Sequence, residues 1–256
     1  MPELPEAETI VRSLRKHVEG RRIRAAEFLA RRVSTSDPSL LSDRTITAVS
    51  RYGKQVLLHL DQGCLLVKLG MTGALLWNTE PTPYARAIFT FDHGRMLFDD
   101  VRQFGSITLL DAPPSSLGPD PLEMDAAEFA ERLRKRDTAV KRLLLDQSFV
   151  RGIGNIYADE ALFRAGIHPR ARTRRMKPDR ARRLHREAVE LLRSAIAHRG
   201  SSVSDYVDAA GARGGFQDLH QVYGREGEPC RKCGSPIRRI VVGQRGTHFC
   251  PRCQRR

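Results

Sequence analysis

VRGIGNIYADEALFRAGIHP, residues 150–169, is the stretch that decides what kind of chain this is. Gly152 and Gly154 spell a tight turn, Asn155 is placed to N-cap the helix IYADEALFRA, and Gly166 closes that helix ahead of Pro169. A glycine turn that aims helix-start amides outward is a phosphate site. The same pattern also serves as a plain packing joint between helices, and pattern alone weighs the two equally.

The segments around it set the architecture. From MDAAEFAERLRKR to IAHRG the chain carries helical spacing, with Leu184, Ala188, Leu191 and Ala195 recurring every three or four residues in a last helix that Gly200 ends. Upstream, APPSSLGPDP is a proline-rich boundary. Before it, from Arg22 to about Asp111, come short apolar or alternating runs (RRIRAAEFLA, TITAVS, KQVLLHL, CLLVKLG, AIFTF, ITLLDA) broken by turns such as DQG and DHG. At the head, PEAETIVRSLRKHVEG reads as a helix. Pro5 suits its first position, Glu6 and Glu8 complement the dipole, Ile10, Val11, Leu14 and Val18 form the buried stripe, and Gly20 caps it. Ser201 to Pro229 contains Gly211, Gly214 and Gly215 and has little pattern, so it reads as a mobile loop leading into the cysteine module.

The expected fold is therefore α+β and multidomain. It has an N-terminal β-sandwich with a leading helix (1–118), a helical domain (119–213) and a C-terminal four-cysteine hairpin (214–256). The last module rests on CRKC and CPRC. Cys230, Cys233, Cys250 and Cys253 enclose sixteen residues, GSPIRRIVVGQRGTHF, and such a set converges on one structural Zn²⁺, an iron–sulfur cluster being the rarer occupant. The turn Gln244–Arg245–Gly246 then becomes a basic fingertip, or an ordinary exposed turn. Cys64, in GCLLVKL, reads as a small core hydrophobe.

The 256 residues carry a formal net charge of +14, mostly arginine, which points to a polyanion; an arginine-rich coding bias or a solvated surface accounts for part of such an excess. No apolar run approaches the ~20 residues of a membrane span, and Glu3, Glu6 and Glu8 stand where a signal peptide is basic and then apolar. A cytosolic protein with no membrane partner is expected.

Pro2 raises a chemical question. With Met1 removed, residue 2 presents a secondary amine. An α-amine titrates at ~7.7 to 8.0, so a fraction is neutral near pH 7 and nucleophilic. Attack on a sugar C1′ gives a Schiff base, and Glu3 is close enough to move protons. From residue types alone, an inert N-terminal proline is the stronger reading.

In combination the strings say more. PELPE, a β-rich domain, GNIYADEALFRAGIHP, QVYGREGEPC and QRGTHFCPRC, in this order and across nearly the whole chain, closely resemble the formamidopyrimidine-DNA glycosylase family. The resemblance implies excision of oxidised purines (8-oxoguanine and formamidopyrimidines) from double-stranded damaged DNA, then strand cleavage by β,δ-elimination. It also implies a helix-two-turn-helix motif in the second domain and a zinc finger in the third. Pro2 matches the Schiff-base nucleophile, Glu3 the acid assisting ring opening, Glu6 a supporting group, and Lys54, in RYGKQVLLHL, the catalytic lysine, on the strand face of Val56, Leu58 and Leu60. Arg245 matches the finger arginine that grips phosphate beside the lesion and takes a catalytic role in the second elimination, and Asn155 the phosphate-binding asparagine. Met71 in LGMTG, with Arg102 and Phe104 in DVRQFG, resembles the three residues that fill the space left by a flipped base. Without the resemblance, Met71 and Phe104 read as core.

Arg136, in RKRDTAVK, resembles a further DNA contact, though a charged helix face reads the same way. Tyr84 in TPYARA and Lys68 in LVKLG stand where the family has other DNA-contacting residues, which bears on contact details more than on activity. Ser204 to Gln217 resembles the loop that covers the extruded purine. A monomer, associated with the bacterial nucleoid when on DNA, is expected. Two rivals remain: an endonuclease VIII-like enzyme for oxidised pyrimidines, disfavoured by PELPE and the long covering loop, and a catalytically silent zinc-finger DNA-binding protein, disfavoured by Pro2, Glu3 and Lys54.

Overall fold

The computed structural model describes residues 2–34 and 36–255. Met1, whose removal the Pro2 chemistry requires, lies outside the described residues. The chain divides into two compact units, residues 1–115 with 196–217, and residues 116–195 with 218–256.

The first unit opens with helix α1 (Leu4–Val18). Leu4 takes the first helical position and Pro5 the second, one place later than the sequence suggested; neither N–H would find an intrahelical partner there, so proline is tolerated at both. Gly20 follows the helix at φ 77°, the left-handed conformation that ends helices. Eight strands follow: β1 (Ile23–Phe28), β2 (Ile46–Tyr52), β3 (Gln55–Leu60), β4 (Cys64–Lys68), β5 (Ala74–Trp77), β6 (Ala85–Phe91), β7 (Arg95–Asp99) and β8 (Ser106–Leu110). They form two four-stranded antiparallel sheets, β1-β6-β7-β5 and β2-β3-β4-β8. Ile23, Phe89 and Phe98 of one sheet and Val49, Leu58 and Val67 of the other share one apolar core with Ile10 and Leu14 of α1. That is a sandwich closed at one end by a helix, each fully buried aliphatic contributing roughly 1.5–3 kcal/mol.

The segment from Ser201 to Gln217 is tied down rather than loose. Asp208 accepts the amides of Ala210 (3.0 Å) and Ala212 (2.9 Å) and pairs with Arg199. The Ser202 hydroxyl donates to the Tyr206 carbonyl (2.8 Å) and accepts from the Gly214 amide (2.8 Å). Ala209 bonds both α1, through Ser13 Oγ at 3.1 Å, and β5, through the Trp77 amide at 2.9 Å. Short polar side chains bonding nearby backbone leave no periodicity, which is why the sequence looked patternless.

The second unit contains α2 (Ala126–Arg134), α3 (Val140–Leu144), α4 (Asn155–Arg164), α5 (Pro178–Ala197, running to the unit's edge) and the hairpin β9 (Arg238–Val242) and β10 (Arg245–Phe249). α4 is buried from Ile156 through Phe163. Its Glu160 carboxylate accepts the backbone amides of Gln221, Val222 and Tyr223 at 2.8–3.0 Å, fastening the segment that leads to the cysteines. Among the described residues no helix is long and apolar enough to cross a membrane.

Candidate functional site

The N-terminus is clamped. Glu3, 3% exposed, precedes α1, and Glu6, 1% exposed, folds back so that its Oε2 accepts the Glu3 amide at 2.8 Å. Its Oε1 accepts the Ser201 amide at 2.7 Å. Gly200 lies against the same carboxylate at φ 75°, and a Cβ there would come within 2.7 Å of Glu6 Oε1. Glycine is required twice at this position, by conformation and by space. Glu6 therefore fixes the peptide that follows Pro2 and ties it to the end of the helix–loop junction. Gly200 and Ser201 thus adjoin the candidate site, though in the sequence Gly200 reads only as a helix stop and Ser201 as the start of a loop.

Lys54 is not on a strand. Tyr52 pairs with Gln55, so Gly53 and Lys54 form the two-residue β2–β3 turn, with Gly53 at φ 65° in the glycine-first order of a type II′ hairpin. The two-residue parity held, since Val56, Leu58 and Leu60 are buried, but the strand begins one residue later. The turn leaves Lys54 half-buried.

Met71, Arg102 and Phe104 are brought together. Met71 is 42% and Phe104 60% exposed, so neither belongs to the core. The Arg102 guanidinium lies 4.8 Å from the Phe104 ring centroid, and its Nη1 is 3.4 Å from Met71 Sδ. A buried carboxylate, unremarked in the sequence, organises all three. Asp100 accepts the Thr72 hydroxyl at 2.5 Å with Oδ1 and the Gly105 amide at 2.7 Å with Oδ2, while Thr72 Oγ1 accepts the Arg102 amide at 3.1 Å. Gln103 between them sits at φ 55°, a strained conformation for a side-chain-bearing residue. Large apolar side chains are thus held out into solvent. Tyr84, also exposed, adjoins this group, its carbonyl accepting the Asp100 amide at 3.0 Å; Lys68 is exposed at the end of β4.

In the second unit, Asn155 is the first residue of α4, and Gly154 occupies the N-cap. This corrects the expected cap: the Asn155 side chain is directed elsewhere, Nδ2 donating to the Gly246 carbonyl at 3.1 Å. The fingertip differs similarly. Gly243 (φ 56°) and Gln244 (φ 61°) make the turn, and Arg245 is the first residue of β10, paired with Val242 and exposed. Both central residues at positive φ mark a type I′ hairpin, which suits the twist of the two strands. The hairpin is welded to the helices by Lys141, fully buried, whose Nζ contacts Asp159 Oδ1 at 2.7 Å, Thr247 Oγ1 at 2.8 Å and the Gly246 carbonyl at 3.1 Å. Asp159 Oδ2 accepts the His248 amide at 2.8 Å. Removing one member of so buried a pair costs about 3–5 kcal/mol. Arg136 is exposed and shares a cleft with Arg132 and Lys135, not with Asn155.

The four cysteine sulfurs lie within 4.8 Å of one another, with Cys230–Cys253 at 3.9 Å and Cys233–Cys250 at 3.4 Å. A tetrahedral metal with sulfur ligands at about 2.3 Å has edges of about 3.8 Å, so the donor set fits one ion. Crowding splits the thiols: a hydrogen bond from Ser235 takes Cys233 down to about 6, while burial first, then the neighbouring sulfurs, pushes Cys253 up to about 12. A cation resolves that conflict by favouring thiolate at all four. The finger has almost no apolar core of its own beyond Phe163, Val222 and Ile237, so the metal carries its fold.

The chain matches three known domain families: the formamidopyrimidine-DNA glycosylase N-terminal domain over residues 1–107, the formamidopyrimidine-DNA glycosylase H2TH domain over 117–207, and a zinc finger found in FPG and IleRS over 227–256. It is 51% identical to the formamidopyrimidine-DNA glycosylase of Solibacter usitatus (strain Ellin6076), with all of both chains covered. To that of Bacillus subtilis (strain 168) it is 41% identical, over 99% of each. Among solved structures, the MutM (Fpg) protein of Thermus thermophilus superposes with a TM-score of 0.91 at 41% identity, over 99% of this chain and 98% of that one. A Lactococcus lactis FPG mutant bound to Fapy-dG-containing DNA gives 0.91 at 34%, over the whole of both.

Proposed function

The chain belongs to the formamidopyrimidine-DNA glycosylase family and is a DNA glycosylase and AP lyase of base excision repair, and from that premise we propose the residues that carry its chemistry. The free amine of Pro2 attacks C1′ of the damaged nucleotide, the glycosidic bond breaks, and the base leaves with a proton. Glu3 supplies acid to the opening sugar ring. The resulting iminium acidifies the C2′ hydrogen, so the 3′ and then the 5′ phosphate are eliminated, and water releases the enzyme. Glu6 touches no reacting atom in this scheme; it positions the peptide bearing the amine. Lys54, in the β2–β3 turn, is the catalytic lysine.

Met71, Arg102 and Phe104 fill the vacated helix, Tyr84 and Arg136 make accessory DNA contacts, and Asn155 with Arg245 hold backbone phosphates. The metal is a single structural zinc ion, the working unit a monomer, and the functional segments 1–118, 119–213 and 214–256. Oxidised purines are the preferred substrates.

The observation that carries this reading is the Glu6 clamp. The bond from the Glu3 amide is the capping box of α1, but the same buried carboxylate also holds the Ser201 amide 195 residues away, which fixes the peptide after Pro2 far more firmly than a frayed, inert N-terminus requires. Borohydride trapping on a lesion duplex tests it. Protein with a free Pro2 should be trapped on 8-oxoguanine and abasic duplexes and not on undamaged DNA, and protein that retains Met1 or a tag before it should be trapped on none. Equal excision and trapping by the blocked form would remove Pro2 from the mechanism.

A further inference from the structure

Helix α4 surfaces at both ends. Its N-terminal end meets the fingertip at Gly246 through Asn155. About 15 Å away, the length of ten helical residues, its C-terminal end opens onto a separate cleft of about 560 Å³ within the same unit. Arg164, Arg180, Arg183, Arg186 and Lys232 line that cleft, and its one acidic side chain, Asp179, is already bonded to Arg182.

The cations divide into two sets. Arg180 donates to the carbonyls of Gly166 (3.2 Å) and Arg255 (2.5 Å), and Arg183 faces Glu187 at 3.7 Å, so both serve the fold. Arg164, Arg186 and Lys232 make no ion pair among the described residues. Arg180 also lines a neighbouring cleft of about 450 Å³ with Arg170, Arg172 and Arg175, so the basic surface is continuous. The buried stretch Ile156 to Phe163 of α4 separates the cleft at its C-terminal end from Asn155.

Like charges held together without counter-charges repel one another and oppose folding, so a row of them is stabilised by an external polyanion. We propose that the arginine cleft at the C-terminal end of α4 is a second, sequence-independent DNA-binding surface. It takes the phosphate backbone of a duplex segment other than the one held at Asn155 and Arg245. The occupant is duplex DNA because the family's substrate is duplex and the cleft offers planar guanidinium forks, its one aromatic lining residue, Phe163, being buried at 8% exposure and so no stacking platform, which suits backbone phosphates and not unstacked bases. With two such surfaces, the protein passes from one duplex segment to another without full release.

The test uses full-length, metal-loaded protein carrying one equivalent of a short duplex with an uncleavable abasic analogue, so that the Asn155–Arg245 side is filled. A fluorescent undamaged duplex of about 15 base pairs is then titrated in and followed by anisotropy. Wild-type protein should take up this second duplex. In R164A/R186A/K232A the second affinity should fall at least about tenfold, and its log–log salt slope should shrink by about 2 to 3, one counterion-release contribution per lost contact.

Single-turnover excision by the triple variant should match wild type, which also reports that it is folded. R186E alone, which leaves the Arg180 and Arg183 bonds intact, should weaken the second affinity in the same direction. No second duplex, equal uptake by the variants, or uptake of single-stranded RNA or polyphosphate in preference to duplex overturns the proposal. Loss of excision by wild-type protein, by contrast, strikes the Pro2 reading and leaves the titration interpretable.

Discussion

The two compact units differ most in how they carry charge. Residues 1–115 with 196–217 hold 17 Lys and Arg against 15 Asp and Glu, a formal +2. Residues 116–195 with 218–256 hold 27 against 15, a formal +12. The first unit has a large apolar core and places buried carboxylates, Glu3, Glu6 and Asp100, at its working positions. The second closes its finger with four sulfurs and almost no apolar core, and covers itself with arginine. On the proposed site residues, the contrast amounts to a division of labour: the near-neutral unit holds groups in fixed geometry for chemistry, and the basic unit supplies a non-specific field for phosphate.

Metal removal should break the second unit alone. A four-thiolate zinc site contributes about 10–16 kcal/mol to a finger that cannot fold without it, so chelation should abolish DNA binding. Trp77, the chain's single tryptophan, lies in the first unit, stacked 5.3 Å from the His17 ring, so its fluorescence reports that unit. Its emission should be unchanged by chelation. Metal-free protein that binds DNA, or a Trp77 signal that collapses with the finger, would merge the two units into one.

Glu3→Gln tests the opposite half. The amide keeps the shape and removes the ionisable proton, so excision of 8-oxoguanine should fall by about 10² to 10⁴. Nicking of a preformed abasic site, already rid of its base and partly open-chain, should survive appreciably. Affinity for undamaged DNA and its salt slope should be those of wild type, since phosphate grip belongs to the other unit. A proportionate loss on both substrates would mean that Glu3 shapes the site without moving a proton.

Most of this division was legible in the sequence, for a physical reason. Side-chain spacing reports what a residue does with its own element, so the α1 stripe, the strand parity at Val56, Leu58 and Leu60, and the metal spacing were all readable. Roles that arise between distant segments were not. Asp100 reads as the acid of a DVRQFG loop, Lys141 as one more cation in RKRDTAVK, and Gly200 as a helix stop. Only the fold sets Asp100 against Thr72 and Gly105, Lys141 against Asp159 and Gly246, and Gly200 against Glu6. Asn155 failed as a cap for the same reason: its better partner lies 91 residues away.

Acid should separate the units again. His220, in the second unit, is buried, and that burial first of all lowers its imidazole from the ordinary 6.5 to about 4. The folded form therefore keeps a neutral ring that the unfolded chain would protonate. The corresponding stability is fully present above about pH 6.5, is lost as pH falls from 6.5 toward 4, and amounts at most to about 3 kcal/mol. Hydrogen exchange at the Val222 amide, which Glu160 holds nearby, should accelerate across this window, and His220→Gln should flatten the response. Exchange that rises equally at Leu58 in the sandwich would assign the acid sensitivity to the whole chain.

Arg102 is the most telling probe because it crosses the division: an arginine of the near-neutral unit that we propose to meet DNA. Its neighbours say it is not there for phosphate. The guanidinium lies over the Phe104 ring, 4.8 Å from its centroid, and contacts Met71, and its backbone is pinned through Thr72 to the buried Asp100. A planar fork so placed can read a base by paired hydrogen bonds, with about 1 to 3 kcal/mol of discrimination between partners. Arg102→Ala should therefore reduce the ratio of excision rates for 8-oxoguanine opposite cytosine and opposite adenine by about 5- to 150-fold. The log–log salt slope of binding should stay near that of wild type, whereas Arg245→Ala should lower it by about 1 and leave the opposite-base ratio alone. Should Arg102→Ala instead reduce the slope and spare the ratio, Arg102 is a phosphate clamp, and the neutral unit shares in the grip assigned here to its partner.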